Sequence, residues 1–197
     1  MVTKYISIVA LLISFSLQSQ TKIIKTEIYT VEYSEKLEQP VSLTYFSINR
    51  PKNVSRGSMN FKTVPGIKTS DDADYYKNPY DKGHLAPAAT FSDSKENLKE
   101  TFSYLNCALQ HKQLNRYLWK YLEAEEREWD DYQELMVTVD IKFSDSILPT
   151  GATLPSKFIK HIKFLHENKY LCYEFENSGD LPKEKEYLND YAVEHKH

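Results

Sequence analysis

Five residues spread over about forty positions have side chains suited to cutting a phosphodiester: Lys82, His84, Asn106, Asn115 and Glu123. Such a reaction needs a water stripped of a proton, and charge neutralised on the phosphoryl oxygens and on the leaving 3′ oxygen. An imidazole suits the first task, because its ordinary pKa of about 6.5 lies near working pH. A hard divalent cation suits the second, and one or two protein oxygens can hold it while water fills its remaining positions. The amide oxygen of an asparagine is a neutral ligand that leaves such an ion its full charge. A lysine or arginine nearby would complete the set.

Taken singly, each residue also fits a bland role. Glu123 stands in "LEAEEREW", where several acids could form one solvated face. Asn115 is a poor mid-helix residue, which suggests a capping interaction or a ligand. Asp81 reads as a partner for nearby backbone or lysine, and a lone His84 is more often structural than catalytic.

The elements that must carry these residues follow from periodicity. Residues 25–33 and 41–48 are β-rich runs separated by Pro40, and 49–79 is a long Pro-, Gly-, Ser- and Asp-rich loop. "TFSYL" at 101–105 reads as a short strand. From His111 to Trp129, Leu114, Leu118 and Leu122 recur every four residues beside Trp119, the mark of an amphipathic helix. On it Asn115 and Glu123 lie eight residues apart, about 12 Å along the axis and roughly 80° around it. "ELMVTVDIKF" is a buried strand, and "SKFIKHIKFL" and "KYLCYEFEN" form a hairpin through His166-Glu167-Asn168. The sum is an α+β domain with a central antiparallel sheet.

The segment "DKGHLAPAA" (81–89), followed by "NCALQ" (106–110) and "NRYLWKYLE" (115–123), resembles the DNA/RNA non-specific endonuclease family, with "LPTGATLPSKFIK" similar to its later strand entry. The resemblance runs roughly from Arg56 to Lys160. It implies a ββα-metal (His-Me finger) motif set in a larger sheet, and an endonuclease that leaves 5′-phosphates on DNA and RNA. By the resemblance His84 is the general base, Asn115 the direct ligand of Mg²⁺, with Mn²⁺ able to substitute, and Glu123 a ligand through water. Asn106 would orient His84 or the phosphate region, and Lys82 and Arg56 would contact phosphate oxygens. Gly83 would permit a tight backbone beside His84.

This chain departs from the family pattern in places. Lys82 replaces an arginine, keeping the charge but losing the planar fork. Leu109 replaces a proline, which frees a backbone angle. The family's Thr-Gly-Pro is missing after "MVTVDIKF". The alternative reading is a weak or inactive member that binds nucleic acid or another polyanion.

Bulk properties bound the rest. At 197 residues, 41% hydrophobic and 13% aromatic, the chain suits one folded domain. A formal charge of −3 counts against tight nucleic-acid binding by overall charge, though not against a local cationic cleft. No GxSxG nucleophile motif, CxxC pair or HExxH is present. Residues 1–19, with Lys4 ahead of an apolar run, read as a signal peptide, so that residues 20–197 form the domain of a secreted or periplasmic protein with no stable membrane anchor. Cys107 and Cys172 could pair there or remain as two buried thiols.

Overall fold

The computed structural model describes residues 21–193; the expected signal peptide lies outside them. Eight strands and two helices carry the architecture. The strands are β1 (Thr21–Lys25), β2 (Tyr29–Ser34), β3 (Gln39–Ser47), β4 (Tyr80–His84), β5 (Cys107–His111), β6 (Leu135–Ile147), β7 (Thr153–Phe164) and β8 (Lys169–Glu176). Helix α1 is Lys95–Thr101. Helix α2, residues 112–129, joins Lys112–Leu114, a π-helical turn over Asn115–Trp119, and Lys120–Trp129. No described helix is long and apolar enough to cross a membrane.

Six strands form one antiparallel sheet in the order β1-β2-β3-β6-β7-β8, and β4 and β5 form a separate hairpin-like pair. The long β-rich run expected over 25–33 is broken at Thr26, whose hydroxyl accepts the amides of Ile28 and Tyr29 and turns the chain. One sheet face is apolar by alternation except at Lys160. Leu135, Val137, Val139 and Ile141 of β6, with Phe158 and Ile162 of β7, are buried. Leu114, Leu118 and Leu122 of α2 pack into this face with no exposed surface, so the helical stripe read from sequence is the core contact. Trp119 lies edge-on to Phe158 and Phe175.

The expected strand at 101–105 is not one. Thr101 ends α1, and Ser103 then caps a 3₁₀ turn at Tyr104–Asn106 by accepting the Leu105 amide. The strand follows at Cys107–His111. His111 is the cap of α2, its Nδ1 accepting the Gln113 amide at 3.1 Å. Both cysteines are buried and free, and burial drives the Cys107 thiol up to about 12.

Two side chains bind the hairpin to the sheet. Asn177 accepts from the His111 amide and donates to the carbonyls of Leu109 and Pro155. Gln39 Oε1 accepts the Leu109 amide at 3.1 Å. That last bond gives the departure at Leu109 a structural use, since a proline there has no N–H to donate.

Candidate active site

His84 ends β4, opposite Cys107 of β5. Gly83 beside it has no positive φ; its reason is space. A Cβ there would stand 2.5 Å from Gln110 Oε1 and 2.6 Å from Gln110 Cβ. The close cross-strand approach, rather than a turn, demands glycine.

The His84 ring is held by two aromatic neighbours, Phe61 at 4.6 Å and Phe102 at 4.9 Å between centroids. The residue as a whole is half-buried, yet burial is the largest influence on its ring, with the Arg56 charge acting the same way. Together they hold the pKa down at about 3, so without substrate the imidazole is neutral throughout the physiological range and only weakly basic. Its Nε2 is buried without a hydrogen-bond partner among the described residues.

Asn106 is fully buried and its hydrogen bonds go to backbone, not to this ring. Its side chain accepts the Ala86 amide and donates to the carbonyls of Ala86 and Thr101, while its own carbonyl takes the Leu85 amide. It therefore clamps the backbone just after His84 and does not line the cleft. Trp119 fixes the same backbone from the other side, its indole N–H donating to the His84 carbonyl.

Asn115 opens the π turn of α2. Its Nδ2 donates to Asp81 Oδ2 at 3.1 Å, and Arg116 grips both oxygens of the same carboxylate at 2.7 Å. Burial opposes ionisation of Asp81, but these bonds outweigh it and hold its carboxyl below the usual range. With the amide nitrogen so committed, the amide oxygen is turned away as a potential ligand. The π turn also changes the sequence-based geometry. It acts as one residue inserted in an α-helix, so eight positions count as seven regular steps. That brings Asn115 and Glu123 from roughly 80° to roughly 20° apart.

Glu123 faces the cleft from α2. Burial pushes its carboxyl up to about 7; the Lys160 charge opposes this and Glu126 adds to it. Lys160 is the largest feature missed from sequence. It is in phase with Phe158, Ile162 and Phe164 on β7 and so points into the core. There its Nζ meets Glu126 Oε1 at 2.7 Å, both side chains having no exposure, and lies 4.0 Å from the Trp119 ring centre. Tyr45 donates to the other Glu126 oxygen at 2.5 Å.

Lys82 is engaged. It forms an ion pair with Asp72, itself bonded by the Tyr104 hydroxyl, and donates to Asn60 Oδ1. Phe61, Tyr75 and Tyr104 surround its ammonium. Asp72, Asn60 and the aromatic wall carried no motif that would have marked them.

One open cleft of about 450 Å³ gathers Arg56, Lys82, His84, Asn115 and Glu123, together with Asp81. Two hard oxygen donors on one helix, beside a neutral base and two cations, fit a weakly ligated divalent ion. No group of three His, Cys, Asp or Glu side chains that could hold a metal ion occurs among the described residues.

A family model described as DNA/RNA non-specific endonuclease matches residues 10–194. Among curated proteins, the chain is 32% identical over 124 residues to "Nuclease" of Syncephalastrum racemosum. It is 35% identical over 89 residues to "Nuclease EXOG, mitochondrial" of Danio rerio, and 32% over 120 residues to "Nuclease C1" of Cunninghamella echinulata var. echinulata. These matches cover 60%, 45% and 58% of this chain but 39%, 23% and 44% of the relatives, so the chain spans less than half of each. Among solved structures, a chain of an EndoG/EndoGI complex superposes with a TM-score of 0.72 at 22% identity, covering 87% of this chain and 80% of that one. That likeness is one of fold: the mixed α+β arrangement with a central antiparallel sheet and a helix beside a β-pair.

Proposed function

The chain belongs to the DNA/RNA non-specific endonuclease family, and from that premise we propose that it is an exported, metal-dependent endonuclease. It would hydrolyse phosphodiester bonds of DNA and RNA and leave 5′-phosphates. The observation that carries this reading is the convergence of a neutral His84, the oxygens of Asn115 and Glu123, and the cations Arg56 and Lys82 in one cleft.

His84 takes a proton from a water lying against the phosphorus. The oxygen of that water forms the new P–O bond, the bond from phosphorus to the 3′ oxygen breaks, and the 3′ oxygen is protonated from solvent. Arg56 and Lys82 attract the phosphoryl oxygens into this alignment. Asp81 and Arg116 keep the Asn115 oxygen aimed, and Asn106 and Trp119 keep the His84 backbone still. Asn115, and Glu123 through water, would hold a Mg²⁺, which would supply charge neutralisation at the phosphate and leaving oxygen.

The reading is tested with the protein on supercoiled plasmid and on total RNA, each with Mg²⁺ and with EDTA, beside His84→Ala. Metal-dependent loss of both substrates that the variant cannot perform supports it. Binding without cleavage in Mg²⁺ or Mn²⁺ supports the alternative, a nucleic-acid or polyanion binder.

A further inference from the structure

The cleft continues past its own wall. Arg56, Asn60 and Phe61 also line a second hollow of about 610 Å³, whose far side is formed by Lys62, Lys95, Lys99 and Phe102. Every ionisable side chain of this hollow is a cation, in a chain of net charge −3. The local sequence explains the bias: no Asp or Glu occurs between Glu38 and Asp71, while Arg50, Lys52, Arg56, Lys62 and Lys68 all fall there.

These cations stand on fixed backbone. Lys95 and Lys99 are four apart on α1 and so share a face. Lys62 is bridged to the segment that follows α1, its amide donating to the Phe102 carbonyl and its carbonyl accepting the Tyr104 amide. The Arg56 guanidinium lies 5.0 Å over the Phe102 ring. Lys62, Lys95 and Lys99 are exposed and join no ion pair among the described residues. The acids of α1, Glu96 and Glu100, line the neighbouring hollow beside Ile24 and Val64, which Lys62 and Lys99 also border.

We propose that this hollow is a binding track for the sugar-phosphate backbone of a nucleic-acid strand leaving the cleft past Arg56, with Lys62, Lys95 and Lys99 as its phosphate contacts. The inference rests on the nuclease reading for the strand's identity. It differs from that reading in assigning affinity, and no chemistry, to these three lysines.

The test is the triple variant Lys62→Gln/Lys95→Gln/Lys99→Gln. Binding of a fluorescently labelled duplex several helical turns long is followed over a range of salt in a His84→Ala background. Hydrolysis of bis(p-nitrophenyl) phosphate is followed in the otherwise native protein. The track predicts tenfold or greater weakening of duplex binding at moderate salt, and a log K against log salt slope shallower by up to about 2.7, or about 0.9 per lost phosphate contact. It also predicts unchanged hydrolysis of the small ester, and a triple Lys→Arg variant that keeps the native slope. Unchanged affinity and slope, or loss of small-ester hydrolysis in a folded variant, overturns the track. Failure of the native protein to cut either substrate, with the slope still altered by the variant, overturns the nuclease reading and leaves the track standing.

Discussion

The indole N–H of Trp119 donates to the backbone carbonyl of His84 across 3.3 Å, tying the helix that carries Asn115 and Glu123 to the strand that carries the base. Trp119→Phe removes this bond and part of the buried packing beside Phe158, Phe175 and Lys160. We expect a stability loss of about 2–3 kcal/mol in urea unfolding, bond and cavity together. We expect kcat to fall roughly ten- to a hundredfold with KM little changed, because a small misplacement of a reacting group is costly. A native kcat would show that the two halves of the site are aligned without it.

On the proposed function, Lys82 would reach a phosphate by exchanging one anion, Asp72, for another. Its hydrogen bond is the chief cause holding the Asp72 carboxyl below the ordinary range, with the Tyr104 hydroxyl second. Asp72→Asn should release the ammonium, lower KM for nucleic acid several-fold, and steepen the salt dependence by about 0.9, one further phosphate contact. Steady-state kinetics at several salt concentrations would read this. An unchanged KM would mean that Lys82 serves the aromatic wall and not the substrate.

The depressed His84 pKa has a defined sign. An unfolded chain binds a proton at this ring below about 6.5, whereas the folded protein leaves it neutral down to about 3, burial being the main cause. The unfolded state thus binds more protons in that window, and stability contributed by the neutral ring is lost as pH falls from 6.5 toward 3. Urea unfolding at pH 7.5 and pH 5 should show a drop that His84→Asn diminishes. For the same reason His84 should contribute no acid limb of kcat near 6.5; a limb near 7 would belong to Glu123, whose carboxyl burial raises to about 7. A ring titrating near 6.5 by NMR would contradict both His84 expectations.

The pair formed by Lys160 and Glu126 is wholly buried, with Tyr45 on the second carboxylate oxygen. Lys160→Met leaves an unpaired carboxylate in the core and should cost about 3–5 kcal/mol. Replacing all three partners, as Lys160→Met/Glu126→Leu/Tyr45→Phe, should recover most of that loss in chemical denaturation. If the triple variant is no more stable than the single one, the network is held by more than mutual satisfaction of its charges.

Much of the scaffold is legible in local pattern. Leu114, Leu118 and Leu122 announce the helix, and the alternation in β6 and β7 announces the inner strands, because one buried face forces a period on each element. The short segments were harder. "TFSYL" is apolar and aromatic enough for a strand, yet Ser103 caps a 3₁₀ turn there. The break at Thr26 depends on one hydroxyl accepting two amides, a bond that composition does not reveal.

For the site, residue type and spacing offered Lys82, His84, Asn115 and Glu123 as candidates, and the family resemblance assigned their roles and added Arg56; all five line one cleft. The tertiary structure decided how those groups are held. A π turn swings Asn115 toward Glu123, Asp81 and Arg116 set the amide, and Asp72 occupies Lys82. Asn106 is drawn into the interior as a backbone clamp, and Lys160 is placed in the core. All but the first depend on contacts that the fold makes between separate segments, and the first depends on an irregularity that a constant 100° step does not contain.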